Sequence, residues 1–323
     1  MPELHSFIFE GLPVRGQIVR LTDAWREVLT RRAASQTGAW PLPVQNLLGE
    51  MAAASVLMQA SIKFNGALVL QIQGDGPVKL AVVESQSDLS FRVTAKVVGE
   101  VDAHSPVPAL VNQSGQGRCA ITLDPKDKLP GQRPYQGIVP LSNAQGEPLP
   151  QLADMLQQYM KQSEQLDSVL VLADDDQVAA GLLIQRMPVE GEGNLQAQPK
   201  DAEALAEDYN RIATLAASLQ AEELLSLDIE TILRRLFWEE RLLRFEPKVD
   251  ETAPRFACTC SRERVSSMLR GLGREEIDGI VAERGSVEVS CDFCGQQEVF
   301  DPIDAAQLFA DPQNVSPGST SVQ

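Results

Sequence analysis

Positive charge is in short supply in this chain: 28 Lys and Arg stand against 45 Asp and Glu, a net charge of −17. That deficit argues against DNA or RNA as a main partner, because nothing would offset phosphate repulsion. An acidic surface does keep a protein soluble while it exposes apolar surface at times. A long apolar run is also missing. The most apolar segment, "VQNLLGEMAAASVLMQASIKF", is interrupted by Glu50, Gln59 and Lys63 and falls short of the roughly 18–20 residues of a membrane span. The start, "MPELHSFIFEGLPVRG", has no basic flank leading into an apolar stretch, so no signal peptide is expected. No G-x-x-x-x-G-K-S/T phosphate loop occurs, so an ATP requirement is not expected. Cysteine and histidine are scarce, at five and two. The expected location is the cytoplasm, with neither nucleic acid nor membrane as partner; there, structural disulfides are rare and clustered cysteines more often bind metal or sense redox state.

What is present suits a globular protein of more than one domain, with 323 residues of which 43% are hydrophobic. "LTDAWREVLTRR" places Trp25, Val28 and Leu29 on one helical face, with Thr22 as N-cap. Residues 43–63 are apolar nearly all round and predict a buried central helix. "ALVLQIQ", "PVKLAVV", "FRVTAKVVG" and "CAITL" alternate as half-buried strands do, with turns such as "GDG" between them. "LPQLADMLQQYMKQSEQL" returns to helix, and "SVLVLADDDQVAAGLLIQ" predicts two strands joined by an acidic turn. The polar stretch "VEGEGNLQAQPK" marks a boundary near 190–200. Residues 201–245 have an almost purely helical pattern: Leu205, Tyr209, Ile212, Ala216 and Leu219 form one stripe, and Asp228 caps a helix carrying Ile232, Leu233, Leu236 and Phe237. The expected fold is α+β. An N-terminal core domain of mixed sheet and helix covers 1–192, a helical linker 193–248, a small C-terminal domain 249–310 that carries most of the cysteines, and a disordered tail 311–323.

Four of the five cysteines fall in the last quarter: Cys258 and Cys260 as C-x-C, then, after thirty residues, Cys291 and Cys294 as C-x-x-C. Zinc takes four thiolates in a tetrahedron at about 2.3 Å, and two close pairs can grip it from two sides. Between them, Ser261 caps "SRERVSSMLRGLG", with Val265, Met268, Leu269 and Leu272 on one face and a stop at Gly273. "REEIDGIVAERG" follows with Ile277, Ile280 and Val281 and ends at Gly285; "SVEVSC" and "QQEVF" can form a hairpin around the second pair. A unit of about 55 residues hardly folds by core burial alone. His5 and His104 lie far from this region in sequence, which favours a ligand set of four cysteines over a mixed one, one zinc per reduced chain. The spacing itself leaves a static zinc knob and an oxidisable switch both open, since zinc thiolates are nucleophilic. Cys119, in an alternating strand, is expected to be an inert core thiol.

"CTCSRERV" with "CDFCG" resembles the C-terminal zinc module of the 33 kDa heat-shock protein family, the redox-regulated chaperones. The likeness extends to "VRGQIVRL", "LQIQGDGPVKLAVV", "PYQGIVPL", "YMKQSEQL", "GLLIQRMP" and "EELLSLDIETILRRLFWEE", in order, from about residue 4 to about 309. Cys119, Trp238 and the tail after 310 lie outside the family pattern. The resemblance implies an ATP-independent holdase, not an enzyme. Reduced, the chain holds Zn2+ and is off; oxidation pairs Cys258 with Cys260 and Cys291 with Cys294, zinc is released, the linker unfolds and unfolding client proteins bind. It also implies a homodimer in the active state. The alternatives are a static zinc-ribbon interaction module and a thiol–disulfide oxidoreductase. The latter would place its C-x-x-C at the start of a helix, whereas here the motif follows a strand pattern.

Overall fold

The computed structural model describes residues 1–127, 131, 133–188 and 202–310. The chain divides into two compact units, Met1–Ala257 and a second that starts at Cys258. The first contains β1 (Glu3–Phe9), β2 (Val14–Leu21), α1 (Asp23–Ala34), α2 (Leu42–Ser61), β3 (Gly66–Gln73), β4 (Val78–Gln86), β5 (Ser90–Val97), α3 (Val107–Val111), β6 (Arg118–Pro125), β7 (Tyr135–Pro140), α4 (Leu152–Ser163), β8 (Ser168–Asp174) and β9 (Ala179–Arg186). It continues with α5 (Ala202–Ala217), α6 (Ala221–Ser226), α7 (Ile229–Phe237), β10 (Leu242–Arg244) and β11 (Arg255–Phe256). One sheet has the order β10-β1-β2-β9-β8, the other β11-β5-β4-β3-β6-β7. All pairings are antiparallel except β11 with β5.

α2 lies between the two sheets and touches strands of both. Val44, Leu47, Leu48, Met51, Val56 and Leu57 are all buried, which explains why its sequence is apolar on every side. Its Ser55 hydroxyl, unable to reach water, hydrogen-bonds Ser85 of β4 at 2.8 Å. One acidic corner breaks the apolar rule. A Cβ on Gly49 would stand 2.7 Å from Asp174 Oδ2, and that oxygen is buried without a partner. Burial pushes the nearby Glu50 up to about 7. Burial, with Glu50 and Asp175 adding repulsion, pushes Asp174 to about 9.

The other face of the first sheet carries α5, α6 and α7. In α7 the residues Ile229, Ile232, Leu233, Leu236 and Phe237 are buried, a spacing that lines one helical face. The Asp228 side chain accepts from Thr231 N–H at 2.9 Å, capping the helix as expected. This face meets Phe7, Phe9, Ile18, Leu182 and Ile184 in a second apolar cluster. Tyr209, Ile212, Ala216 and Leu219 are buried too, while Leu205 is half-buried.

Several expectations need correction. Residues 201–245 are not helical throughout, because Leu242–Arg244 pairs with β1 as an edge strand. Thr22 stands at the start of α1 but makes no side-chain cap bond. The strands β1, β2, β7, β10 and β11 and the helix α3 were not predicted from pattern. The boundary at 190–200 and the tail at 311–323 lie outside the described residues.

The second unit holds α8 (Arg262–Leu272), α9 (Arg274–Arg284), β12 (Val287–Ser290), β13 (Gln297–Phe300) and α10 (Pro302–Leu308). Ser261 Oγ accepts from Arg264 N–H at 3.3 Å and caps α8. Gly285 ends α9 with φ of +83°, a left-handed position that glycine takes without the Cβ clash of other residues. The helical pair and the hairpin match the expected unit; α10 is additional. The predicted stripe of α8 is only partly covered, since Leu269 is buried but Met268 and Leu272 are 48% and 56% exposed. The apolar centre consists of Leu269, Ile277, Val287, Phe300, Ala305 and Leu308. That is a thin core for a folded unit.

Candidate metal centre

Each cysteine pair sits where a regular element begins or turns. Cys258 and Cys260 lead into the capped start of α8, and Cys291 and Cys294 occupy the turn between β12 and β13. In that turn Cys291 N–H donates to Gln296 O at 2.9 Å and Gly295 N–H to Cys291 O at 2.8 Å. Gly295 has φ of +71°, which a glycine at this tight corner accommodates without strain.

The four sulfurs converge. Cys258 Sγ stands 3.6 Å from Cys291 Sγ, and Cys260 Sγ 3.2 Å from Cys294 Sγ. All four lie within 4.8 Å of one another. Sulfurs on a tetrahedron of about 2.3 Å radius stand about 3.8 Å apart, so the donor set fits a single tetrahedral ion. A disulfide would need about 2.05 Å, and all five cysteines are free thiols. Among the described residues this is the group of metal-ligating side chains close enough to share an ion.

Electrostatics favour a cation at the centre. At Cys258 burial resists ionisation, yet the Cys260 backbone N–H and the thiols of Cys260, Cys291 and Cys294 bond its sulfur and hold it below the ordinary thiol value. Cys260 and Cys294 move the opposite way, chiefly through burial. Four sulfurs this close cannot all carry charge unaided; a divalent ion removes the repulsion and ionises coordinating thiols outright.

Arg262 sets the two pairs in register, and sequence reasoning missed it. Its Nη1 donates to Glu298 Oε2 at 3.1 Å and to Val299 O at 3.0 Å, and its Nη2 to Asp304 Oδ2 at 2.7 Å. The guanidinium also lies 4.2 Å from the centre of the Phe300 ring. The first residue of α8 is thereby fastened to β13 and α10. The signal in the sequence was only an arginine beside the C-x-C, with partners 36 to 42 residues away. Arg264 Nη1 donates to Thr259 Oγ1 at 2.7 Å and steadies the residue between Cys258 and Cys260.

The remaining candidates stand apart from this cluster. Cys119 is fully buried in β6, where burial pushes its thiol up to about 12, as expected of an inert core residue. His5 Nε2 pairs with Glu3 Oε2 at 3.0 Å, and the His104 backbone N–H donates to Asp102 at 2.9 Å. The acidic turn after β8 is a hairpin in which Asp175 Oδ1 accepts from Gln177 N–H and Val178 N–H, both at 2.7 Å. No helix among the described residues is long and apolar enough to cross a membrane.

Comparison with known proteins agrees along almost the whole chain. The family described as Hsp33 protein matches residues 3–301. The 33 kDa chaperonin of Chromobacterium violaceum is 47% identical over 307 residues, covering 95% of this chain and 93% of that protein. The 33 kDa chaperonin of Methylobacillus flagellatus is 44% identical, covering 98% and 97%. The crystal structure of the 33 kDa chaperonin (heat shock protein 33 homolog) of Thermotoga maritima shares the fold, with a TM-score of 0.72 at 22% identity over 95% of this chain and 97% of that one. With two relatives this similar over nearly their full lengths and a family match from residue 3 to residue 301, the chain belongs to the Hsp33 protein family of chaperones.

Proposed function

We propose that this chain is a redox-regulated, ATP-independent holdase whose switch is the thiol cluster of Cys258, Cys260, Cys291 and Cys294. The observation that carries the reading is the convergence of four free sulfurs within 4.8 Å in a unit with a thin apolar centre. In this reading residues 1–192 are the core domain, 193–248 the linker and 249–310 the redox-switch domain, and the protein works in the cytoplasm. One Zn2+ held by the four cysteines would fix the thiolates together and add to folding a binding free energy on the order of 10 kcal/mol.

Oxidation removes the ligands. In each pair, Cys258 with Cys260 and Cys291 with Cys294, two thiols reduce one hydrogen peroxide to two waters and are joined as a disulfide, giving up two electrons and two protons. No thiolate then remains to hold the ion, and a unit with so little buried apolar surface unfolds. The linker, contiguous in sequence, includes α6 and α7, helices of six and nine residues that are marginal once undocked. Its release uncovers the apolar cluster around Phe7, Phe9 and Ile18, which gains about 25 cal/mol per Å² when a client covers it. The active species is a homodimer.

The test measures zinc content and aggregation of a denatured client on one sample before and after peroxide with mild heat. The expected result is about one zinc per reduced chain, loss of that zinc on oxidation and a gain of aggregation suppression without ATP. Disulfide mapping is expected to find the near-neighbour pairs with Cys119 free. Loss of zinc with no gain in suppression would sink the proposal, and retention of zinc would favour a static zinc module.

A further inference from the structure

The corner between α6 and α7 is closed from below by a side chain of the core sheet. Alternation along β2 places Val14 and Ile18 in the cluster under the linker helices, and Val19 and Leu21 in the core around α2. Arg20 therefore falls on the linker side, on the central strand of its sheet. Its Nη1 donates to Leu224 O at 2.8 Å and also to Leu227 O, and its Nη2 donates to Leu225 O at 2.8 Å. These carbonyls belong to the last turn and the C-cap of α6, which spans only Ala221–Ser226. Helix-end carbonyls lack an intrahelical N–H partner, and a cation there also opposes the negative end of the helix dipole. The planar guanidinium offers donors in a fixed fork that a lysine cannot copy. Immediately afterwards Asp228 caps α7, so the clamped carbonyls sit at the joint where one linker helix hands over to the next.

We propose that Arg20 is the latch that keeps the linker docked in the resting protein. It ties three main-chain carbonyls of the linker to the middle of the core sheet, and its release frees the α6–α7 corner. The inference rests on the reading that linker release activates the chaperone, and adds the residue that sets how readily release occurs.

The experiment uses the full-length, reduced, metal-loaded protein with Arg20→Met, which keeps an apolar stem and removes every donor. Hydrogen exchange is followed at residues 221–237 and in β3–β6, beside aggregation of a denatured client. The expected result is exchange about tenfold or more faster at 221–237, unchanged exchange in β3–β6, and client holding without oxidant. Wild-type exchange at 221–237 would overturn the latch. Faster exchange there with a silent reduced protein would leave the latch standing and overturn linker release as the activating step. Where Arg20→Met loosens the whole first unit, Arg20→Lys decides: selective loss of protection at 221–237 supports the latch. Wild-type protection in Arg20→Lys, or loss throughout the unit, refutes it.

Discussion

Leu236→Glu tests whether the linker is the bistable element. Leu236 is 3% exposed and belongs to the cluster with Phe7, Phe9, Ile232, Leu233 and Phe237. Beside it the Phe237 ring meets that of Phe9 edge-on, with centroids 5.1 Å apart. Losing this burial costs about 1.5–3 kcal/mol. A carboxylate in the same seam costs about 1–3 kcal/mol more, even where it escapes by taking up a proton. The sum, roughly 2.5–6 kcal/mol, moves a docked–undocked equilibrium by about two to four powers of ten. α7, at nine residues, is shorter than the roughly 12–15 that stand alone in water, so it has little reserve. The thiol cluster and its supporting Arg262 lie in the other compact unit and are untouched by the substitution. A reduced variant should therefore retain its zinc, lose helicity by circular dichroism and hold clients without oxidant. Leu236→Ala, which creates a cavity without a charge, should act in the same direction at about 2–4 kcal/mol. A linker that unfolds while the reduced protein stays inactive would refute the reasoning.

Three further outcomes are expected. Cys291→Ser combined with Cys294→Ser should abolish metal binding and the fold of the second unit; metal content equal to wild type by atomic absorption would contradict the site. Oxidised, active protein should scatter light as a dimer at micromolar concentration, and a purely monomeric active sample would contradict dimerisation. Because the fold raises Glu50 to about 7 and Asp174 to about 9, it favours their protonated forms, a contribution complete below about pH 4 and lost as pH rises through those values. Asp174→Asn should flatten the fall of Tm between about pH 5 and 9, and an equally steep fall in both proteins would refute the assignment.

The sequence made the site legible and much of its scaffold obscure, for physical reasons tied to distance along the chain. The cysteine pairs are local patterns, and so are the Ser261 and Asp228 caps and the all-round apolar character of α2. β2 was missed because Arg15, Gly16 and Arg20 break its alternation. Arg15 is accommodated by Gln185 at 3.0 and 2.7 Å and Ser61 O at 2.6 Å, partners that no local window contains. β10 and β11 are three and two residues long, too short for a period, and exist because β1 and β5 offer them an edge. Arg262 is the same case inside the second unit: its chemistry was visible, its partners were not.

On the proposed mechanism one layer must leave while the fold persists, and the two faces of the first sheet allow it. The first sheet is apolar on both faces, but the faces are not equivalent. Val19, Leu21, Leu170 and Leu183 enter the large cluster around α2, which also takes Leu68, Leu70, Ile72, Val83 and Val93 from the second sheet. Phe7, Phe9, Ile18, Leu182 and Ile184 instead meet helices of sixteen, six and nine residues. The α2 side is secured by two sheets and a twenty-residue helix, so its loss would unfold the unit. The linker side is covered by three helices, two of them under ten residues, that stand apart from that core cluster and depend on the sheet for their burial. Adjacent side chains of a strand point to opposite faces. Undocking the linker can thus uncover one row of apolar residues and leave the other row buried, an apolar surface presented on a sheet that remains folded.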